Sequence, residues 1–311
     1  MEAPQGGFFL PDRIAFSKPV IPLWEQLALM ESRGLLIADH AAAEHALRCI
    51  GYYRLVGYAL DFRASPTSES YIEGISFDDV LALVTFDREI RLLLFDAIER
   101  VEVAFRATLN NLGVAQARDP FWLCNADYFD HGQHDKVMGE LENVLGKRDA
   151  GKHSHQFISS YYAKYSDPYP PSWMLMECLS FSATSRIYKL LKGRLRLEIA
   201  EAFDLQHSVL ESWAHSLSHC RNVAAHHSKC WNRKFTIRPK VPKEYRGRIE
   251  LPSEPRLYMQ CFMLQHFLKV IADRSNWAGR LKALIEQRPE ITLLEDMGFP
   301  ANWTHDEIWR T

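Results

Sequence analysis

The feature that most constrains the fold of this chain is a long amphipathic segment at residues 87–112. Its apolar side chains recur close to the 3.6-residue period of an α-helix, and charged side chains that can pair at i,i+3 or i,i+4 fill the other faces. The apolar stripe consists of Ile90, Leu93, Leu94, Ala97, Ile98, Val101, Phe105, Leu109 and Leu112. A helix with such a stripe has to bury it, so this segment predicts the centre of a helical body.

Helical patterns dominate the rest of the chain, and we predict an all-α fold. Ser76 is expected to cap a separate, shorter helix at 77–85, just before the long one, and Asp39 to cap a helix at 41–50. A region rich in proline, 234–255, is expected to be a long loop. Further helices are predicted at residues 22–34, 131–145, 157–165, 173–183, 184–191, 194–203, 209–227, 255–272 and 277–287.

Three regions are expected along the chain. Residues 1–75 form an N-terminal helical subdomain, residues 76–288 form the main helical domain, and residues 289–311 form a C-terminal tail with one short helix. A chain of 311 residues is long enough for this organisation.

Composition and charge limit the classes of function and the cellular compartments that fit this chain. The formal net charge is −2, so any nucleic-acid binding has to come from a local basic patch. The first 16 residues lack the pattern of a signal peptide, and the longest apolar stretch, 261–272, is interrupted by polar residues and is too short to span a bilayer. The six cysteines are scattered, without a C-x-x-C pair. We therefore expect a cytoplasmic protein without a membrane partner.

The strongest candidate for chemistry is the heptapeptide RNVAAHH at 221–227. On a helix, Asn222 and His226 are four residues apart and share a face, and Arg221 flanks that face. A guanidinium suits the phosphoryl oxygens of an RNA backbone, and an imidazole can exchange a proton at neutral pH. The amide could orient either partner. A guanidinium, an amide and an imidazole are the smallest set of groups with which RNA can be cut without a metal ion.

One histidine cannot readily act as both the acid and the base of a single step. A second copy of the chain, placed across a two-fold axis, would supply the other group, so a homodimer is expected. The structural alternative is a helix C-terminus at which cations are favoured by the helix dipole. Taken alone, the motif favours that alternative slightly.

A basic segment follows the motif directly. Residues 229–256 contain nine Lys or Arg against three Glu. We interpret the segment as an electrostatic track for RNA, with an ordinary solvated loop as the alternative. The residues assigned to RNA contact are His227, Lys229, Arg233 and Lys234.

Other polar and aromatic groups leave alternatives open. His215 and His219 could hold a zinc ion, although no H-E-x-x-H glutamate accompanies them, and packing or contact with RNA is the preferred interpretation. Trp231 could stack on a base but is more often a core anchor. Glu102, with Glu99 and Arg106, could face the active helix, and paired surface charges are the preferred explanation.

Several passages together resemble the Abi-like (abortive infection) family of bacterial phage-defence proteins. They span most of the chain in the family's order, and the last long one is the most specific. Ser228 stands where related toxins carry tyrosine, which puts regulation through a modified tyrosine in doubt. The passages are KP at 18–19, EQL at 25–27, RGL at 33–35, IGYYRL at 50–55, GY at 57–58, FDREIR at 86–91, IERVE at 98–102, SWM at 172–174, LSF at 179–181, RNVAAHHSKCWNR at 221–233 and GFP at 298–300.

The resemblance implies a HEPN-type helical ribonuclease domain, which uses R-x4-6-H on a helix, dimerises and needs neither a metal ion nor another cofactor. The R-N-x-x-x-H form is similar to that of RNA-targeting CRISPR nucleases. It assigns Arg221 and His226 as the catalytic pair and Asn222 as their support. Relatives are linked to phage defence or toxin–antitoxin systems, so an inhibiting RNA or protein partner is expected.

The function predicted from the sequence is therefore metal-independent endonucleolytic cleavage of RNA by attack of a 2′-hydroxyl. Two alternatives stay open. One is a non-catalytic RNA- or protein-binding helical module in the same defence context. The other is a metal hydrolase that uses His215 and His219.

Overall fold

The computed structural model describes residues 15, 17, 19–146, 155–247 and 252–310. Across these ranges it contains twelve α-helices, several short 3₁₀ turns and only isolated β-bridges. The predicted all-α class is confirmed. A HEPN-like arrangement of these helices stays a prediction.

The chain divides into two compact units, residues 1–81 and 82–311. The first unit contains α1 (Leu23–Ser32), α2 (His40–Ile50) and α3 (Tyr52–Ala59). Asp39 caps α2 as predicted, because its carboxylate accepts hydrogen bonds from the backbone N–H groups of Ala41 and Ala42, both at 3.0 Å.

The long helix α4 (Phe77–Ala117) is one continuous element of 41 residues. Its start is a capping box: Ser76 Oγ accepts from Asp79 N at 3.1 Å, and Asp79 Oδ2 accepts from Ser76 N at 2.9 Å. The prediction of two helices, 77–85 and 87–112, was wrong. No glycine or proline interrupts the junction, and Asp87, the first residue of the second predicted helix, is fully buried within the continuous helix.

The second unit contains the rest of α4 and eight further helices. The predicted helix at 173–183 is two helices, because Leu179 is extended (ψ 137°) and the Ser180 hydroxyl caps the next helix by accepting from Ala183 N at 3.3 Å. The helices are α5 (His134–Leu145), α6 (Gln156–Tyr162), α7 (Ser172–Cys178), α8 (Phe181–Leu190), α9 (Gly193–Glu201), α10 (His207–Ala225), α11 (Leu257–Ile271) and α12 (Trp277–Glu286).

An aromatic core joins the helices of the second unit. Phe105 on α4 packs edge-on against Phe181 and Tyr188 of α8, with ring centroids 6.0 and 5.6 Å apart. Trp213 on α10 packs in the same way against Phe262 on α11 at 5.8 Å. The predicted apolar stripe of α4 is buried, apart from its half-buried last member, Leu112. Helix α10 is therefore anchored to this core along one face.

The C-terminal region, predicted as a tail at 289–311, packs onto α11 within the same unit. Trp303 and Trp309 are buried, and Trp309 Nε1 donates to the Tyr258 hydroxyl at 3.3 Å. Gln265 Nε2 donates to the carbonyl of Ile308 at 3.2 Å. The short helix expected in this region is a 3₁₀ turn, Glu295–Met297.

Candidate functional site

The RNVAAHH motif lies at the C-terminal end of α10. The helix ends at Ala225, and His227 adopts a left-handed conformation (φ 55°). The N–H of His227 donates to Ala224 O and that of Ser228 donates to Val223 O, both at 3.0 Å, which is the Schellman arrangement. The predicted helix at 209–227 therefore stops two residues early, and His226 and His227 are exposed beyond its last turn.

Arg221 faces α4. Its Nε lies 3.9 Å from Glu102 Oε2, and its side chain is 40% exposed, whereas that of Glu102 is 11% exposed. Glu102 also pairs with Arg106 one turn along α4. The preferred explanation of Glu102 and Arg106 as surface charges was wrong for Glu102, which is buried between two guanidinium groups. The charge of this carboxylate therefore attracts the Arg221 guanidinium toward α4.

The Asn222 side chain contacts α8 rather than α4. Its Nδ2 donates to Ser182 Oγ on α8 at 3.5 Å. The link between Asn222 and His226 runs through the backbone, from His226 N to Asn222 O at 3.0 Å. The structure thus places Arg221, Asn222 and His226 in one turn and its cap, with the guanidinium toward α4, the amide toward α8 and the imidazole exposed.

A buried carboxylate that sequence analysis missed holds the segment after the motif. Asp87 Oδ1 accepts from the backbone N–H groups of Cys230 at 2.9 Å and Trp231 at 2.7 Å, while Oδ2 pairs with Arg91. The available signal was an aspartate and an arginine at i,i+4 among the apolar residues of the long helix. Asp87 ties the end of α10 to α4, because the turn after the motif begins only a few residues before Cys230.

Residues 228–240, which we call the strap, run back along α10. Thr236 Oγ1 lies 3.5 Å from His219 Nε2, and farther on Lys240 N donates to Ser212 Oγ at 2.9 Å. Trp213 Nε1 donates to the carbonyl of Lys240 at 2.7 Å. The basic side chains of the strap therefore follow the helix that carries the motif.

Of the four residues assigned to RNA contact, His227 directly precedes the strap, and Lys229, Arg233 and Lys234 lie in its first half. His227 is exposed, and Lys229 and Arg233 are half-buried. Lys234 is exposed but pairs with Glu254 at 2.8 Å. This hydrogen bond and the nearby Arg256 lower the pKa of the Glu254 carboxyl. Lys234 is thus partly neutralised within the fold.

The structure distinguishes the interpretations of the remaining candidates, Trp231, His215 and His219. Trp231 is 2% exposed, so the core-anchor interpretation is correct and base stacking is excluded. His215 is exposed, whereas burial, followed by the charges of Arg233 and His215, lowers the pKa of His219. Within the described ranges, no three His, Cys, Asp or Glu side chains form a cluster that could hold a metal ion.

The described part of the chain also contains no helix that is long and apolar enough to cross a membrane.

Comparison with known proteins gives one match. The family model described as Abi-like protein matches residues 45–232, more than half of the chain, and this range includes Arg221, Asn222 and His226. Neither the curated proteins nor the solved structures gave a significant match. From the extent of the family match we conclude that the chain belongs to the Abi-like protein family.

Proposed function

We propose that this protein is a metal-independent endoribonuclease. Membership of the Abi-like family suggests a phage-defence context and is compatible with a nuclease. The observation that carries the proposal is the end of α10, where the half-exposed guanidinium of Arg221 and the exposed imidazole of His226 lie within one turn and its cap. Neither group is enclosed in the protein interior, so each is accessible to the backbone of an RNA.

Arg221 stabilises the negative charge that develops on the phosphate. Its Nε edge faces Glu102, and a guanidinium carries further N–H donors on its two Nη atoms. Glu102 holds the fork in place without using those donors. A preorganised cationic fork lowers the barrier because it does not have to reorganise when the charge forms.

His226 transfers a proton. The 2′-oxygen attacks the adjacent phosphorus and loses its proton to a base, the bond from phosphorus to the 5′-oxygen breaks, and an acid protonates that oxygen. The products are a 2′,3′-cyclic phosphate and a 5′-hydroxyl. His226 of one copy serves as one of these groups, and His226 of a second copy across a two-fold axis serves as the other. Asn222, which is hydrogen-bonded to Ser182, orients the turn between Arg221 and His226.

The strap guides the RNA to this end of α10. His227, Lys229 and Arg233 contact the backbone near the motif, and Lys234 contributes after it exchanges Glu254 for a phosphate. Because an active ribonuclease would harm the cell that makes it, we also propose an inhibiting RNA or protein partner.

The decisive experiment incubates a fluorescent single-stranded RNA with the purified protein in EDTA. We expect cleavage, a cyclic phosphate at the new 3′ end, and no cleavage of the DNA of the same sequence. Arg221→Ala and His226→Ala should abolish the reaction, and Arg221→Lys should retain only a small part of it, because lysine lacks the fork.

Matched controls separate chemistry from folding. Arg194→Ala removes an exposed arginine on α9, and His131→Ala removes an exposed histidine before α5, so both should cleave like the natural protein. Cleavage that disappears with EDTA and returns with zinc would instead support a metal hydrolase using His215 and His219. Unchanged cleavage in folded Arg221→Ala or His226→Ala would refute the proposed roles of these residues.

Two observations favour the non-catalytic alternative. The Arg221–Glu102 pair and the Schellman turn at His227 both have a structural use, so the motif could hold a binding surface in shape. This alternative predicts RNA binding without cleavage. It also predicts that Arg221→Ala lowers the melting temperature as much as Glu102→Gln does.

A further inference from the structure

A cleft of about 790 Å³ lies away from the motif, between α5, α8, α10 and the end of the strap. Its volume falls within the 300–1,000 Å³ that is usual for small-molecule sites. Each of the three helices and the strap contributes polar side chains to its wall. The cleft is therefore large enough for a nucleotide and is not a packing defect.

The charge of the lining favours an anion. Five cationic side chains line the cleft against two carboxylates, Glu140 and Glu211. Arg186 binds Glu140 through two hydrogen bonds of 2.6 and 2.9 Å, and Glu211 pairs with Arg196 and, at 3.6 Å, with Lys189. Both carboxylates are thus already compensated. The five cations are Lys136, Arg186, Lys189, Arg238 and Lys240.

The interior of the cleft supplies neutral groups suited to a sugar and a base. Ser208 and Ser212 on α10 offer hydroxyl groups, and Leu190 and Ile237 add apolar surface, while the exposed Asn143 on α5 adds an amide at the edge of the cleft. Ser185 lies deeper and is 5% exposed. A basic rim above a mixed polar and apolar interior matches a ligand with a phosphate at one end and a flat heterocycle at the other.

We propose that this cleft binds a nucleoside phosphate. The phosphate lies among the cations of the rim, where Lys136, Arg238 and Lys240 contribute charge that no carboxylate of the described residues pairs, and the nucleoside enters the interior. The nucleoside phosphate comes either from a free nucleotide or from one residue of a bound RNA, and both share this chemistry. The proposal rests on the cleft alone and does not depend on catalysis at Arg221 and His226.

The test is calorimetric titration of the full chain with ATP, with GTP, with phosphate-free adenosine, and with a single-stranded RNA whose 2′-hydroxyls are methylated so that it cannot be cleaved. One blocking variant is Gly139→Phe. Gly139 lines the cleft on α5, and a Cβ built there meets no atom within 4 Å, so a side chain can start at this position, and that of phenylalanine is expected to occupy part of the cleft. Gly139→Ala is its matched control.

The second variant, Arg238→Ala/Lys240→Ala, removes charge from the rim but leaves the backbone hydrogen bonds of Lys240 with Ser212 and Trp213 intact. Lys164→Ala, an exposed lysine at the end of α6, is its control. We expect each cleft variant to lose at least about tenfold in affinity, because charge-assisted hydrogen bonds to phosphate are removed or blocked. The controls should bind like the natural protein.

The outcomes of these titrations distinguish a free nucleotide from a nucleotide of RNA, and they also include results that would refute the proposal. Binding of ATP or GTP that the cleft variants weaken identifies a free nucleotide, whereas weakened binding of methylated RNA alone identifies a nucleotide of RNA. Adenosine should bind far more weakly than ATP. The proposal is overturned if ATP, GTP and the methylated RNA all fail to bind. It is also overturned if Gly139→Phe and the double variant bind these ligands as tightly as their controls do. RNA cleavage that persists in these variants would leave the ribonuclease proposal standing by itself.

Discussion

The carboxylate of Asp87 offers the sharpest test of how the end of α10 is held. Its side chain is fully buried and that of Arg91 is 8% exposed, so neither charge is screened by solvent. Substitution Asp87→Asn keeps an oxygen for the N–H groups of Cys230 and Trp231 but removes the buried negative charge that faces the Arg91 guanidinium. Loss of one partner of a buried pair costs about 3–5 kcal/mol.

Asp87→Ala should cost more, because both backbone N–H groups also lose their acceptor. Each unsatisfied buried donor costs about 1–3 kcal/mol. The three interactions share one carboxylate and do not add fully, so we expect a total of about 4–6 kcal/mol. Adding Arg91→Met to Asp87→Asn also removes the buried guanidinium that has lost the Asp87 carboxylate. The double variant should therefore be more stable than Asp87→Asn alone.

The assay is urea unfolding followed by tryptophan fluorescence. Seven of the eight tryptophans lie in residues 82–311, so the signal reports mainly on the unit that contains Asp87. The matched control is Glu198→Gln in the exposed i,i+4 pair with Arg194, which should cost at most about 0.5 kcal/mol. A cost below about 1 kcal/mol for Asp87→Asn, or a double variant less stable than the single one, would refute the reasoning.

Three further predictions concern stability. His227→Gly should stabilise the protein by about 0.5–1 kcal/mol in urea unfolding, because glycine adopts the left-handed C′ position without strain, and a loss of stability would contradict this explanation. Burial lowers the pKa of His266, whose Nδ1 lies 2.9 Å from the Tyr245 hydroxyl, so its stabilising contribution is complete above about pH 6.5 and falls as the pH drops below that value. Melting temperatures of the natural protein and His266→Gln should therefore converge between pH 7 and 5, and parallel curves would argue against it. Gly113→Ala should destabilise by about 1–3 kcal/mol in thermal unfolding, because the new methyl group would overlap the Trp122 ring, whereas Gly139→Ala, where the added Cβ meets no atom within 4 Å, should not.

Local patterns were sufficient to predict much of this protein. The period of the apolar residues identifies the helices, and the caps at Asp39 and Ser76 follow from residue types two or three positions from their backbone partners. The RNVAAHH motif and the family resemblance are also properties of the linear sequence. These inferences succeed because the interacting groups lie within a few residues of one another.

Local patterns gave wrong predictions at Asp87 and Glu102, because residues far away in the sequence determine the surroundings of these two side chains. A helix was predicted to start at Asp87, yet the partners of this residue, Cys230 and Trp231, lie more than 140 residues away, and they allow the carboxylate to remain inside a continuous helix. Glu102 looked like a surface charge until packing of α10 against α4 placed it beside Arg221.

The sequence by itself determined that this chain is helical, which residues carry the candidate chemistry, and that any binding of RNA is local. Only the tertiary structure decided which groups hold Arg221 and the end of α10, and that α5, α8, α10 and the strap enclose a basic cleft. The physical reason is the range of the interactions. Helix formation and capping depend on neighbours along the chain, whereas buried ion pairs and clefts depend on which remote surfaces are brought together when the apolar faces are buried.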